Sequence, residues 1–500
     1  MNSTLENLPK WDSIQWKYVM EQVRNLKYRI FMAKLKGDRR RLRRLQKLML
    51  TSRNNILLSV RRVTVENNRK AISGIDKVLI KEKSDRMELV EQLSKMRILQ
   101  HQPFPIKRSK IPKSDQKTRP LGISIIMDRC IQTIVLNALE PEWEACFEAN
   151  SYGFRPGRSA HDAIGRVYNV VRVKTKGRNN KSWILNAYVE GFFNNICHKD
   201  ILEKLDNFPA KSLINRWLIA GYMEGDIFNK TEKGTPQGGV ISPLLANIAL
   251  YELEKFLNVA PDSTGRVRGT RVYVRYADDF IIICSSKTEA QTTKKQISGW
   301  LKTKGLRLTP DKIKISHIDK GFDFLGVNIR HINMKTNQKG PDKILRIYPS
   351  EKSILKLTQK LKEEWKFLRS KSIETVLHHL NPIIADWANY YRKFSSTQLF
   401  TKLDNWTFKK SWHYASRMHA NKSKHWIYDK YYGNFNLNRK DRWTFGNKET
   451  GKYLKKFTWF NIRQHIMVKG YNSPCDPRLQ EYWENRDKYI YKASFINLSK

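Results

Sequence analysis

Cysteine is scarce in this chain. Its five residues, Cys130, Cys146, Cys197, Cys284 and Cys475, include no C-x-x-C pair. Neither a zinc site nor a disulfide framework is therefore indicated, and they read as the reduced, packing thiols of an intracellular protein. Long apolar runs are missing too. No stretch of roughly eighteen apolar residues occurs, and no signal-peptide pattern, so a membrane is not an expected partner. No internal repeat stands out. The third shortage is acid: 47 Asp+Glu face 94 Lys+Arg, which leaves a formal charge of +47. Repulsion on that scale disfavours a compact state unless a polyanion offsets it.

What is present answers those shortages. Hydrophobic residues make up 40% of the 500, with 14 Trp, 21 Tyr and 21 Phe, ample material for packed cores and too much for a disordered chain. A chain of this length exceeds the usual reach of one core, so several domains are expected. Basic and aromatic residues interleave throughout, the composition that grips nucleic acid through phosphates and stacked bases. Binding through phosphates releases counterions and should weaken steeply with salt.

Residues Trp11 to Leu58 read as helix. Within them Leu42, Leu45 and Met49 form one apolar stripe beside Arg39, Arg40, Arg41, Arg43 and Arg44, a candidate RNA-phosphate surface. Lys107 to Ile126 suggests strands and a hairpin, and Arg129 to Cys146 an amphipathic helix. Trp183 to Glu190 alternates as a strand, with Ile184, Asn186, Tyr188 and Glu190 on one face. Ser212 to Gly221, Ser242 to Phe256 and Thr288 to Lys302 read as helices. After about Pro341 the pattern turns helical, clearest at Ile354 to Leu368 and Ile373 to Phe394, and from Thr401 it is strongly basic and aromatic. The mixture predicts an α+β class with a central antiparallel sheet.

The chemistry concentrates in Tyr276-Ala277-Asp278-Asp279. Apolar β-formers bracket these adjacent carboxylates, Val272-Tyr273-Val274 before and Phe280-Ile281-Ile282-Ile283 after, so the acids sit at a hairpin tip. Such a tip can present two negative charges to divalent ions that hold triphosphate oxygens. Further strings accompany it: Lys117-Thr118-Arg119-Pro120-Leu121-Gly122-Ile123, Asn150-Ser151-Tyr152-Gly153-Phe154-Arg155-Pro156-Gly157-Arg158-Ser159, Gly234-Thr235-Pro236-Gln237-Gly238-Gly239, and Gly321-Phe322-Asp323-Phe324-Leu325-Gly326. In the helical part stand Leu380-Asn381-Pro382 and Trp387-Ala388-Asn389-Tyr390-Tyr391. Together, from about residue 10 to 490, the ordered set resembles the reverse transcriptase/maturase proteins encoded within group II introns.

That resemblance implies a right-hand polymerase with a helical thumb and a basic DNA-binding appendage. It implies an N-terminal RNA-binding extension over 1–100, fingers and palm over 101–335, a thumb or maturase domain over 336–405 and a DNA-binding region over 406–500. It places Lys113 and Arg119 on the triphosphate, where arginine clamps two oxygens and lysine acts as a point charge. Phe193 takes the position beneath the sugar, Gln237 and Gly238 the close approach to template or nucleotide, and Lys312 a place near the phosphates. Asp278 and Asp279 are the expected Mg2+ ligands. His413, His419 and His425 read as nucleic-acid contacts or packing groups rather than metal ligands. The paired cysteines and histidines of the nuclease domain that many relatives append are not seen, so cutting of target DNA is not expected.

One strand departs from the pattern. Relatives read Ala-Asp-Ile-Lys-Gly-Phe-Phe-Asp-Asn-Ile where this chain has Ala187-Tyr188-Val189-Glu190-Gly191-Phe192-Phe193-Asn194-Asn195-Ile196. The metal-bridging Asp is Tyr188, and the later Asp is Asn194. A neutral phenol is a poor Mg2+ ligand and adds bulk. On a continuous strand Glu190 would face the same side as Tyr188 but about 6.6 Å further along, beyond a glutamate's extra reach over aspartate. A turn at Gly191 would change that distance and leaves Glu190 as a possible substitute.

Two functions fit. The first is a maturase that binds intron RNA, promotes splicing and supports mobility by reverse splicing into target DNA, with the polymerase lost or weak. The second is an active RNA-directed DNA polymerase that copies the intron. A reverse-transcriptase-like protein recruited to another role, such as defence, is a third reading that the maturase strings oppose. The bacterial cytoplasm is the expected compartment, with an organelle as the alternative.

Overall fold

The computed structural model describes residues 10–67, 70–112, 118–173, 181–259, 269–334 and 343–495. The chain divides into two units. The first is Met1–Ala163, Leu185–Ile315 and Val468–Asn485; the second is Ile164–Ile184, Ser316–Met467 and Arg486–Lys500.

In the first unit the arginine-rich segment is not one helix but three: α1 (Trp16–Leu35), α2 (Arg39–Thr51) and α3 (Arg53–Arg61). The breaks have local causes. Gly37 adopts a positive φ of 70°, Asp38 caps α2 by accepting from the Arg41 N–H at 2.9 Å, and Ser52 caps α3. After α4 (Lys83–Lys95), these helices bury their apolar stripes against α5 (Ile126–Glu144), a helix enclosed almost all round. Its polar side chains are accommodated in pairs. Asn137 donates to Asn55 Oδ1 at 2.7 Å, Gln46 to Glu142 at 2.7 Å, and the Asp128 carboxylate meets His101 Nε2 at 2.6 Å.

Two sheets follow rather than a single central one. Strands β1 (Ile106–Pro112) and β2 (Thr118–Ile123) pair antiparallel, and β1 runs parallel to β4 (Tyr222–Glu224), giving the order β2-β1-β4-β5 with β5 at Ile227–Asn229. The second sheet has the order β6-β7-β3-β8, from β3 (Trp183–Tyr188), β6 (Val272–Tyr276), β7 (Asp279–Cys284) and β8 (Lys314–His317). Strand β7 is buried on both faces, which is why it reads as a continuous apolar run rather than an alternation. The predicted helix Ser242 to Phe256 is interrupted: Ser242–Ala249 and Leu253–Phe256 are separate, with Glu252 at φ +80° between them.

The second unit holds a sheet of order β11-β10-β9, from β9 (Phe322–Phe324), β10 (Val327–Asn333) and β11 (Lys343–Pro349). The sequence predicts helix over this last strand. Helices Glu351–Phe367, Ile373–Tyr391, Thr397–Met418 and Lys424–Tyr431 come after it. The tight turn at Leu325-Gly326, with φ of +48° and +82°, receives the Ile373–Tyr391 helix. Tyr390 donates to the Leu325 carbonyl at 2.7 Å and Tyr391 to that of Gly326 at 3.1 Å. Asn381 joins the same helix to the loop beyond: it donates to the Tyr453 carbonyl at 2.9 Å and accepts from the Lys455 N–H at 2.8 Å. Among the described residues no helix is long and apolar enough to cross a membrane.

Candidate active site

The acidic turn joins β6 to β7 through only two residues, since Tyr276 pairs with Asp279. Ala277 therefore takes a φ of +58°, a conformation that costs a side-chain-bearing residue of order 1–3 kcal/mol unless its surroundings impose it. They do. Gly153 lies directly on the turn: a Cβ there would be 2.3 Å from the Ala277 nitrogen and 2.9 Å from the Tyr276 carbonyl carbon. Only glycine permits that approach. Tyr152 N–H donates to the Arg275 carbonyl at 2.9 Å, and Arg275 N–H to the Asn150 carbonyl at 2.9 Å, so residues 150–153 run along β6 as a backbone splint.

Buried ion pairs hold that splint. Arg275 is fully enclosed; its Nη1 donates to Asn247 Oδ1 at 3.0 Å and its Nη2 lies 3.5 Å from Glu148. Asn247 in turn donates to the Gly153 carbonyl at 2.9 Å. Arg155 forms a fork on Glu144 at 2.9 and 3.0 Å and donates to the carbonyls of Glu148 at 2.6 Å and Ser151 at 3.0 Å. Sequence reasoning assigns these residues no structural role because their arginines merge with a basic background. A signal does exist in Arg275: a charge inside the apolar run Val272–Tyr276 must find partners.

Asp278 and Asp279 thus sit half-buried at a rigidly held tip, and Tyr188 is the last residue of the neighbouring strand β3. The next residue, Val189, donates its N–H to the Asp278 carbonyl at 3.3 Å, and Tyr188's carbonyl accepts from Thr309 N–H at 2.8 Å. Glu190 does not continue the strand. Its N–H donates to the Arg307 carbonyl at 2.8 Å, its side chain is exposed, and Gly191 at φ +51° turns the chain into the short helix Phe192–Asn195.

That helix leads to a cavity of about 380 Å3, bordered by Phe193, Asn194, Trp217, Arg108, Lys233 and Gln237. Phe193 is 8% exposed and packs edge-on against Phe154, with ring centroids 6.1 Å apart. Gln237 donates to Asn194 Oδ1 at 3.4 Å, its carbonyl accepts from Gly122 N–H at 2.6 Å, and Gly238 has a φ of +117°. His198 steadies the far wall by meeting the Gly234 carbonyl at 2.7 Å, and burial holds its pKa below the usual 6.5. Arg119 has its backbone in β2 opposite Ile111, and Lys312 closes the turn Pro310–Lys312; Lys113 lies outside the described residues. Arg39, Arg40, Arg41 and Arg44 are exposed on α2, whereas Arg43 pairs with Glu142 at 2.8 Å and Gln46 at 2.7 Å.

Two Mg2+ ions need carboxylates shared between them. Asp278 and Asp279 supply two carboxylates, and among the described residues no group of three or more His, Cys, Asp or Glu side chains could hold a metal.

Comparison with known proteins bears on the family. Family profiles match in order along the chain: the N-terminal domain of reverse transcriptase at residues 11–93, reverse transcriptase (RNA-dependent DNA polymerase) at 111–329, and the group II intron, maturase-specific domain at 354–432. Protein YkfC of Escherichia coli is 32% identical over 343 residues, 62% of this chain and 89% of YkfC. The chain belongs to the group II intron-encoded reverse transcriptase/maturase family. Its fold is α+β, that family's right-hand polymerase with a helical thumb. The intron-encoded protein LtrA of Lactococcus lactis is 31% identical over 289 residues, 46% of this chain and 47% of LtrA, so the match spans about half of that relative. Maturase-like protein 1 of Euglena gracilis is 25% identical over 389 residues, covering 76% of this chain and 77% of that protein.

Proposed function

We propose that this family member is a maturase whose polymerase has been lost or nearly so. It binds a group II intron RNA, stabilises the fold in which that RNA splices, and supports mobility by reverse splicing into DNA. The observation that carries the reading is the residue at the end of β3. Beside a hairpin tip that is otherwise splinted in place, the family's bridging aspartate is Tyr188, and Asn194 replaces a second acid. A phenol adds bulk without charge where two cations would have to be held. Glu190 supports the alternative of a working polymerase only weakly, because its backbone is drawn to Arg307 outside the strand.

RNA binding needs none of the missing charge. It draws on the +47 excess, on the exposed arginines of α2 for residues 1–100, on the helical thumb at 336–405, and on a basic 406–500 region suited to target DNA. The test is splicing of a group II intron transcript with and without the protein, at a Mg2+ concentration where the RNA alone is slow. Acceleration by the protein, steeply reduced by added salt, is expected. A transcript that splices no faster at any protein concentration that binds it would overturn the proposal.

A further inference from the structure

Arg392 ends the helix Ile373–Tyr391 and is only 5% exposed, yet its guanidinium is short of partners. Nη1 donates to Asn389 Oδ1 at 3.1 Å, while Nη2 is buried with no hydrogen-bond partner. The segment around Arg463 runs alongside: Arg463 N–H donates to the Arg392 carbonyl at 3.1 Å. Lys393 Nζ lies 3.5 Å from His465 Nδ1 in the same pair of segments. Burial pushes both guanidinium pKa values down, Arg392's to about 10, and the Arg463 charge adds to the effect there. No ion pair joins either arginine to a carboxylate among the described residues.

Other buried arginines are better supplied at their terminal nitrogens. Arg155 forks onto Glu144, and Arg158, whose Nε also lacks a partner, donates through Nη1 and Nη2 to the carbonyls of Ala149, Gly470 and Asn472. A buried charged donor left unmade costs more than a neutral one, and two like charges together add to it. Such an arrangement is relieved by an incoming anion, and the planar arginine fork matches phosphate oxygens.

We propose that Arg392 and Arg463, with Lys393 and His465 beside them, form a pocket for a backbone phosphate of the bound intron RNA. The assignment to RNA rests on the maturase reading above, and Arg392 falls within the segment matching the maturase-specific domain. The pocket is a defined binding point, distinct from the diffuse charge of the surface.

The experiment uses the full chain and its Arg392→Gln, Arg463→Gln and Lys199→Gln variants, the last an exposed lysine outside the regions assigned to RNA binding. Affinity is measured for a group II intron transcript and for duplex DNA of equal length, and melting temperature in sodium phosphate against sodium chloride at equal ionic strength. Removing a charge-assisted hydrogen bond should weaken RNA binding roughly tenfold in the Arg392 and Arg463 variants. Lys199→Gln should change it by less than about twofold. Phosphate should raise the parent's melting temperature and do so less in the Arg392 variant, which itself melts no lower than the parent. A fall in melting temperature with RNA affinity unchanged would make Arg392 a structural residue and overturn the proposal. Weakened DNA binding with RNA binding intact would overturn the RNA assignment. If the parent binds no intron RNA while phosphate still stabilises it through Arg392, the maturase reading fails and the pocket stands. Arg463→Gln keeps the test open should Arg392→Gln misfold.

Discussion

Replacing Arg155 by Met should be among the most damaging single changes in the first unit. Arg155 and Glu144 side chains are each 1% exposed. The guanidinium donates to the two Glu144 oxygens at 2.9 and 3.0 Å, and to the carbonyls of Glu148 and Ser151 at 2.6 and 3.0 Å. Methionine leaves the Glu144 carboxylate buried with Ser473 Oγ, at 3.0 Å, as its remaining side-chain donor. Breaking one side of a buried pair costs about 3–5 kcal/mol. Adding Glu144→Leu removes the stranded charge, so the double variant should lie only about 1–3 kcal/mol below the parent, the deficit of the two carbonyls. Urea unfolding of the four proteins in the cycle gives the coupling directly. Hydrogen exchange at the Tyr152 amide, which bonds to Arg275, reports whether the splint under the acidic turn has loosened. A single variant that loses less than about 1 kcal/mol, or a double variant worse than the single, would refute the reasoning.

Other perturbations address neighbouring parts. Gly153→Ala forces a methyl to within 2.3 Å of the Ala277 nitrogen, so the turn must shift; a loss of about 1–3 kcal/mol in urea unfolding and faster exchange at residues 276–279 are expected. His198 has a folded pKa below 6.5, so the fold binds its proton less readily than the unfolded chain does. Its stabilisation is complete above about 6.5 and is lost as pH falls through the lowered value. Exchange at Gly234, corrected for intrinsic rate, should therefore accelerate on acidification, and His198→Gln should abolish that dependence. Substituting Arg40, Arg44 and Lys47 on α2 by Gln should flatten the salt dependence of RNA affinity by about 0.7–0.9 in log–log slope for each phosphate no longer neutralised. An unchanged slope would remove α2 from the interface.

The parts legible in the sequence are those where a local pattern has one physical solution. Two acids between runs of β-formers make a hairpin tip, and Tyr276 does pair with Asp279. The ordered strings lead to the family, and the profile matches bear that out. What escapes depends on neighbours distant in the chain. The strand Lys343–Pro349 is hidden because Lys-Ile-Leu-Arg-Ile-Tyr offers no clear alternation, and only its pairing with Val327–Asn333 makes it a strand. The N-terminal segment reads as one long helix because Gly37 and Ser52 carry little weight inside a strong apolar stripe until the chain must fold back on α5. Arg43 groups with its neighbours by composition, whereas its position facing Glu142, ninety-nine residues on, is a tertiary fact. Gly153 and Asn247 are unreadable for the same reason: each matters only through the turn it touches.

A splinted palm short of one bridging carboxylate would leave a maturase without its polymerase. Primer extension on an RNA template with Mg2+, comparing the parent chain with Tyr188→Asp while intron splicing is followed for both, tests it most directly. No extension by the parent, splicing supported by both proteins, and a gain of synthesis on restoring the carboxylate are expected. Processive cDNA synthesis by the parent would contradict it and would turn attention to Glu190 as the group completing the site.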